Sequence, residues 1–301
     1  MKEVNMSTNM TLTEPLISEW LKYIQEVNSE QEEVIRTGRE FFIPFIAIPT
    51  TVVEKVFIIV DSFALGPRTK YLALYIYEKF LCNEFWGIYK EHENHPGSED
   101  FKHACDRVSR VLMLRLMSCI QLASKMDSHL LALGITQVLS ALGRLEPNHQ
   151  FTRFAVMLSE IKVFTTINFK IPLITPLDCI EVLLTASRLD KINKLYDTTI
   201  HVLDMTYLQH QQLFSQLQLV SHGSLAKTKE DKLNFMAMES DILFISAAVI
   251  RCSMEILHIK EGTIAGVLRK FEELVKIDRK DIDNLGRMIM TMLDLDNDSD
   301  F

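Results

Sequence analysis

The chain is short of the residues that interrupt regular structure. Its 301 residues include ten glycines and eight prolines, whereas average proteins contain about 7 % glycine and about 5 % proline. Most of these residues fall between long segments whose apolar positions recur at helical spacing. The sequence therefore predicts an all-α protein, long enough to bury a full hydrophobic core without a disulfide or metal.

Basic runs and paired cysteines are also missing. Lys and Arg number 32 against 40 Asp and Glu, for a net charge of −8, whereas a protein that tracks nucleic-acid phosphates needs a basic stripe. We therefore expect no direct nucleic-acid binding. The five cysteines form no Cys-x-x-Cys pair, which favours free thiols in a reducing compartment. No run approaches the roughly 18 apolar residues of a membrane span, so we expect a soluble intracellular protein without membrane contact.

Catalytic signatures are absent from the sequence. It has no Gly-x-x-x-x-Gly-Lys, Gly-x-Gly-x-x-Gly, Gly-x-Ser-x-Gly or His-Glu-x-x-His motif, so we expect neither enzyme activity nor a cofactor. The best metal candidate is the group His92, His95, His103 and Cys105. Structural zinc sites usually carry paired Cys or helically spaced His. We therefore interpret this segment as a solvated loop between two helices, without metal.

The N-terminal part predicts one helix and one extended segment. Thr13 is the expected N-cap, Pro15 lies in the first turn and Gly38 follows the end. Residues 41–49 are apolar but carry two prolines, which oppose a continuous helix. We expect this segment to be extended.

A compact helical domain is predicted next. Its five helices are expected at 51–65, 67–85, about 104–126, about 128–145 and about 149–168. The third is apolar nearly all round between Val111 and Met126, where only Arg115 and Lys125 are charged. A helix of this kind is typical of the centre of a bundle.

A new helix is expected to start at about Pro176. From Leu189 the pattern partly repeats, with helices expected at 194–219, 239–258, about 263–277 and 278–295 and a polar loop at 222–229. Two successive five-helix units, the second divergent, are the simplest interpretation. The predicted domains are an N-terminal helix and extended segment at 1–49, a first unit at 50–175, a second at 176–295 and a frayed acidic tail at 296–301.

Lys125 and Glu160 have two interpretations. Each charge shares a helix face with an apolar residue, Lys125 with Leu122 and Glu160 with Phe164. The first interpretation is a charge that reaches solvent from the edge of a bundle, and the residues alone favour it. The second is a pair of polar contacts for a partner protein.

Several segments resemble the cyclin family in order and in spacing. Leu116–Lys125 is similar to the third helix of the cyclin box, which ends in Ala-Ser-Lys in that family. Residues 160–171, followed by Thr175-Pro176, resemble the fifth helix and the turn after it, and Tyr77–Leu81 resembles part of the second. The similarity covers about residues 50–186. Within the family it is greatest to cyclin-like proteins associated with meiotic crossover sites.

This resemblance implies tandem five-helix cyclin-like folds and a non-catalytic function. Cyclins bind a cyclin-dependent kinase and hold its C-helix inward, so that the kinase's own Lys–Glu ion pair and magnesium site form. The implied kinase-binding residues are Leu122, Lys125, Glu160, Phe164, Phe169 and Ile171. Because the third and fifth helices pack together in a cyclin box, the resemblance also implies that Lys125 and Glu160 lie near each other on one face.

The resemblance also implies a cellular setting. We expect a divergent cyclin in the nucleus, on meiotic chromosomes, that works with meiotic recombination proteins in crossover designation or maturation. One departure keeps an alternative open, a kinase-independent adaptor that joins recombination proteins. The positions of the family's substrate-docking patch are occupied here by Lys55, Val56, Ile59 and Ser62.

Overall fold

The structure is a computed structural model that describes residues 7–37, 48–93, 95, 97–128, 130–222 and 228–298. Over these residues the chain forms fourteen α-helices and no strand. The predicted all-α fold class is confirmed. The helices are α1 (Ser7–Thr37), α2 (Thr50–Ser62), α3 (Pro67–Glu91), α4 (Glu99–Ser109), α5 (Leu112–Asp127), α6 (Ile135–Leu145), α7 (Arg153–Thr166), α8 (Pro176–Ala186), α9 (Leu195–Leu208), α10 (His210–His222), α11 (Lys229–Ser240), α12 (Ile242–Ile256), α13 (Glu261–Val275) and α14 (Arg279–Asp298).

Helix packing divides the chain into two compact units. One spans Glu40–Thr175, and the other combines Met1–Arg39 with Pro176–Phe301. The assignment of residues 50–175 and 176–295 to two cyclin boxes stays a prediction.

Helix α5 is the centre of the 40–175 unit. It is buried without interruption from Leu116 to Ser124, and it packs against α2, α3, α6 and α7. A helix surrounded by neighbours has no polar face, which is why its sequence is apolar nearly all round. The prediction of a central helix is confirmed.

The helix predicted at 104–126 is wrong in extent, because it is two helices. The chain breaks at Arg110 and Val111 between α4 and α5. Helix α4 starts early because the Ser98 Oγ accepts a hydrogen bond from the Phe101 N–H, a common N-cap. His103 and Cys105 therefore lie on a helix and not in the predicted loop.

The helix predicted at 128–145 is also wrong in extent, since α6 begins only at Ile135. Side chains of α5 bind the preceding segment through its backbone. The Ser124 Oγ accepts a hydrogen bond from the Leu133 N–H at 2.9 Å, and the Gln121 Nε2 donates to the Leu133 carbonyl at 3.2 Å. These buried bonds replace those that a longer helix would make.

Helix α12 is the centre of the other unit. It is buried from Ile242 to Met254 and packs against α8, α9, α11, α13 and α14. The Asp241 carboxylate caps its N-terminus, accepting from the backbone N–H groups of Leu243 and Phe244 and from the Asn28 amide of α1. Burial raises the pKa of Asp241 to about 6, although the two backbone N–H groups lower it.

Helix boundaries in this second unit differ from the prediction in several places. Helix α1 begins at Ser7, so Thr13 is not its cap and Pro15 lies inside it. The predicted 194–219 helix is divided at Gln209. Helix α11 was not expected, and it begins with a capping box between Thr228 and Asp231. The last helix reaches Asp298, into the tail expected to be frayed.

Some predicted positions lie outside the described residues. They include 41–47 of the extended segment, 223–227 of the polar loop and 299–301 of the acidic tail. Within the part of the chain that the structure describes, no single helix is long and apolar enough to cross a membrane. By length and composition, α11 and α12 could do so only as a pair, and that pair is bent by 59°.

A buried arginine joins α12 to α14. Arg251 is 1 % exposed. Its Nε donates to the Asp283 carboxylate at 2.6 Å, and its guanidinium also pairs with Glu255. Burial alone would raise the pKa of Asp283, but the hydrogen bonds and charges of Arg287 and Arg251 outweigh it and hold that pKa below its ordinary value. Gly286 lies against Arg251, where a Cβ would come within 3.0 Å of the Ala248 carbonyl oxygen.

Candidate functional site

Small polar residues bring α5 and α7 close together. The Ser118 and Ser159 hydroxyl oxygens are 2.7 Å apart, so one hydroxyl donates to the other, and the accepting hydroxyl is placed to donate its own hydrogen to the Leu114 carbonyl. Both serines are fully buried. A small side chain on each helix allows a close approach, and the shared hydrogen bonds satisfy the buried hydroxyls. The middles of these two helices are therefore held close together.

The end of α5 is attached to the start of α3. The Asp127 carboxylate accepts a hydrogen bond from the Thr69 hydroxyl at 2.8 Å. It lies so close to Gly66 that a Cβ there would be 2.5 Å from the Asp127 Oδ2. A carboxylate at a helix N-terminus is favoured by the helix dipole. This contact fixes the last turn of α5, which carries Lys125.

Lys125 and Glu160 form an ion pair between α5 and α7. The Lys125 side chain is 42 % exposed and the Glu160 side chain is 20 % exposed. The sequence-based expectation that these charges lie near each other on one face is confirmed. A half-buried pair of this kind has a partner for each charge, while the ammonium and carboxylate can still contact a second protein.

Two aromatic rings extend this face, one from the last turn of α7 and one from the turn after it. The rings of Phe164 and Phe169 meet edge to face with centroids 4.9 Å apart. Asn168 and Phe169 both have left-handed backbones, with φ of 55° and 59°, and this turn brings Phe169 back towards α7. The Phe169 side chain is 64 % exposed. A left-handed conformation costs an L-residue roughly 1–2 kcal/mol, so an exposed aromatic residue is held here against a local cost.

Helix α3 holds the last turn of α7. The Asn83 amide donates to the Thr166 carbonyl at 2.8 Å. Lys162 pairs with Glu84 at 2.9 Å, and the same carboxylate accepts from the Thr166 hydroxyl. These contacts fix the point from which the 167–169 turn leaves the helix.

The predicted site residues fall into two groups. One group forms a half-exposed surface, which we call the α5–α7 face and which consists of Lys125, Glu160, Phe164 and Phe169. Leu122 is buried, one turn before Lys125, and is 7 % exposed. Ile171 is half-buried after the turn. Their assignment as kinase-binding residues stays a prediction.

A second apolar surface on α7 was not expected. It consists of Phe154, Met157, Leu158 and Ile161, all exposed. The core-facing residues of the same helix are Val156, Ser159 and Val163. The four exposed residues are spaced so that they share one side of the helix. The sequence signal that could have revealed this surface is the presence of apolar residues on both sides of one short helix.

The other residues singled out in the sequence do not belong to the α5–α7 face. Among the described residues no three His, Cys, Asp or Glu side chains come together as metal ligands. His92 binds the Ile88 carbonyl through Nδ1. Of the four positions that correspond to the family's substrate-docking patch, Val56 and Ile59 are buried, whereas Lys55 and Ser62 are exposed.

The chain is similar in sequence to a curated protein of two mammals. No family model matches the chain. It is 26 % identical over 213 residues to cyclin N-terminal domain-containing protein 1 of Mus musculus, a match that covers 68 % of this chain and 63 % of that protein. The protein of the same name from Homo sapiens is 26 % identical over 211 residues, with 67 % and 63 % covered.

The chain is similar in sequence to these cyclin N-terminal domain-containing proteins. The resemblance inferred from the residues of α3, α5 and α7 is confirmed as a similarity to them. The chain spans less than two thirds of the length of the two curated relatives.

Proposed function

We propose that this chain binds a cyclin-dependent kinase through the α5–α7 face. The observation that carries the proposal is the arrangement of that face. An ion pair joins two closely packed helices, and an aromatic pair with one exposed ring, Phe169, lies beside it. Protein interfaces commonly centre on aromatic side chains surrounded by polar contacts.

The chemistry of the face suits a kinase helix. In the family that the sequence resembles, the Lys and Glu bind kinase backbone and the apolar residues pack on the kinase C-helix. Here Lys125 can donate to a carbonyl and Glu160 can accept from an N–H, while each still balances the charge of the other. Phe164 and Phe169 offer the apolar surface. Packing against the C-helix would hold it inward, so that the kinase completes its own ion pair and magnesium site.

This function is regulatory and not catalytic. In the proposal the chain supplies a binding surface only, needs no cofactor and leaves phosphoryl transfer to the kinase. Its setting is the nucleus, on meiotic chromosomes, where it works with meiotic recombination proteins in crossover designation or maturation. The similarity to cyclin N-terminal domain-containing protein 1 supports the regulatory part of this proposal.

The alternative is an adaptor that uses the cyclin fold without a kinase. The observation in its favour is the position of Val56 and Ile59, whose side chains are in the core and are not offered to a substrate. Co-purification from meiotic cells separates the two functions. A cyclin-dependent kinase in the complex supports the regulator, and recombination proteins without kinase support the adaptor.

Phe169→Asn tests the α5–α7 face without changing a core residue. We expect kinase affinity to fall by about tenfold or more, since an aromatic anchor at an interface is often worth about 2 kcal/mol or more. Stability should change by less than about 1 kcal/mol, because asparagine tolerates a left-handed backbone and this gain offsets the lost ring contact. The measurements are kinase binding by titration and thermal melting of the free chain.

Phe154→Asn is the matched control. Phe154 is 67 % exposed, close to the 64 % of Phe169. It lies about 120° around α7 from Glu160 at about 100° per residue. This variant should bind kinase like the wild type. Equal losses in both variants, or no loss for Phe169→Asn, would contradict the proposed face.

A further inference from the structure

A groove outside the α5–α7 face has a basic lining. Four of its residues are spaced by three, four and three positions and therefore follow one line along α4 and its C-cap. They are Asp100, His103, Arg107 and Arg110. Together with His92, which follows α3, they line a groove of about 540 Å³. We call it the α4 groove. Its volume is within the usual range of ligand sites.

A small apolar cluster holds the walls of this groove. Ala104 and Val108 of α4 are buried against Ile88 of α3, with Phe101 packed beside them. His92 donates from Nδ1 to the Ile88 carbonyl at 2.9 Å, and its ring meets Phe101 edge to face at 5.9 Å between centroids. The basic line is therefore presented by a packed helix and not by a free loop.

The two arginines of the groove have no carboxylate partner among the described residues. The contrast with Lys102 is direct, because that lysine pairs with Glu99 on the same helix at 2.8 Å. The chain has 40 acidic residues and 32 basic ones, so unpaired arginines side by side are not a consequence of excess basic charge. A guanidinium binds phosphate oxygens through two parallel N–H groups.

We propose that the α4 groove binds the phosphate of a phosphoserine or phosphothreonine in a partner polypeptide. A phosphate monoester carries a charge of about −1.5 to −2 at neutral pH, which suits two arginines flanked by two histidines. The net charge of −8 opposes a long polyanion such as DNA or RNA. None of the described groove-lining residues is a Phe, Tyr or Trp on which a base could stack. This inference does not depend on kinase binding.

Asp100 is the one acidic residue among the described residues that line the groove. Its carboxylate repels a phosphate and competes for the cationic side chains. Asp100→Asn should therefore tighten phosphopeptide binding, whereas a groove that serves only as solvated surface would give no change.

The test uses the purified full chain and two pools of short degenerate peptides, one with a fixed phosphoserine and one with serine in its place. We expect the phosphoserine pool to bind and the serine pool not to bind. Arg107→Ala with Arg110→Ala should weaken binding by about tenfold or more, since the loss of one charged hydrogen bond already corresponds to roughly that factor. Circular dichroism and thermal melting check that α4 remains folded.

Further variants and ligands make the outcome decisive. Lys102→Ala, on the same helix but outside the groove, should bind like the wild type. Arg107→Lys with Arg110→Lys keeps the charge without the paired N–H groups and should bind at an intermediate level. Equal binding of both pools, or full binding by the folded double-alanine variant, overturns the proposal. Tighter binding of inorganic phosphate or of a short oligonucleotide than of the phosphoserine pool overturns it too.

Discussion

Lys125→Ala combined with Glu160→Ala is expected to abolish co-purification of the kinase and to leave the fold intact. In the free chain the pair is half-exposed, and such a pair contributes about 0–1 kcal/mol to stability. At an interface, removal of one member of a desolvated charge pair costs about 2–5 kcal/mol. Binding should therefore weaken by orders of magnitude, while the melting temperature and helicity stay near those of the wild type. Crossover function in meiotic cells should be lost with kinase binding.

A second ion pair of α7 provides the matched control. Lys162 and Glu84 are 46 % and 17 % exposed, close to the 42 % and 20 % of Lys125 and Glu160, but they join α7 to α3. Lys162→Ala removes this pair and should keep kinase binding, because the contacts of Thr166 with Asn83 and Glu84 still hold the 167–169 turn. Normal binding by the Lys125 and Glu160 variant would show that the proposed interface is wrong. If that variant unfolds, the ion pair is structural.

Gly286→Ala is expected to destabilise the chain, the opposite of what this change usually does within a helix. A helical glycine normally costs roughly 0.5–1 kcal/mol relative to alanine. Here the new Cβ would overlap the Arg251 side chain and approach the Ala248 backbone oxygen to 3.0 Å. Arg251 cannot move aside without breaking its contacts with Asp283 and Glu255. Overpacking of this kind costs about 1–3 kcal/mol, and Gly286→Val should cost more than Gly286→Ala.

Gly266→Ala is the control for this change. Gly266 lies within α13, and a Cβ there would meet no atom within 4 Å. We expect Gly266→Ala to raise the free energy of unfolding slightly and Gly286→Ala to lower it, both measured by denaturant titration. A Gly286→Ala protein as stable as the Gly266→Ala protein would contradict the close packing of α12 on α14.

The central helices of the two units were predictable because a helix that is buried on all sides has a distinctive, mostly apolar sequence. Helices α5 and α12 are apolar nearly all round, and a helix at a bundle centre needs no polar face. The proximity of Lys125 and Glu160 was predictable for a different reason, since it followed from the order and spacing of segments that resemble a known fold.

The helix ends were less predictable because tertiary hydrogen bonds set them. Helical periodicity continues through 128–134, but Gln121 and Ser124 bind the backbone of Leu133 and hold that segment outside a helix. Helix α11 had a readable signal in Thr228 and Asp231, which are spaced as in a capping box. The left-handed backbone of Phe169 had no such sequence signal, because an aromatic residue occupies a conformation that favours glycine or asparagine.

The basic line of α4 was partly visible in the sequence. His103 was noticed as a metal candidate, whereas Arg107 and Arg110 belong to the same helical line and were not. Arg107 and Arg110 lie in the helix predicted at about 104–126, whereas Asp100 and His103 precede it in the segment interpreted as a loop. The N-cap at Ser98 extends the helix back over Asp100 and His103 and places all four residues on one face.

Hydrogen–deuterium exchange of the full chain, alone and with its co-purified kinase, tests the central claim most directly. The account predicts that kinase slows exchange at the end of α7 and in the 167–171 turn, next to the exposed Phe169. Exchange in α12, α13 and α14 should not change. Protection confined to those three helices, with none in the 160–171 segment, would contradict the α5–α7 face as the kinase-binding surface.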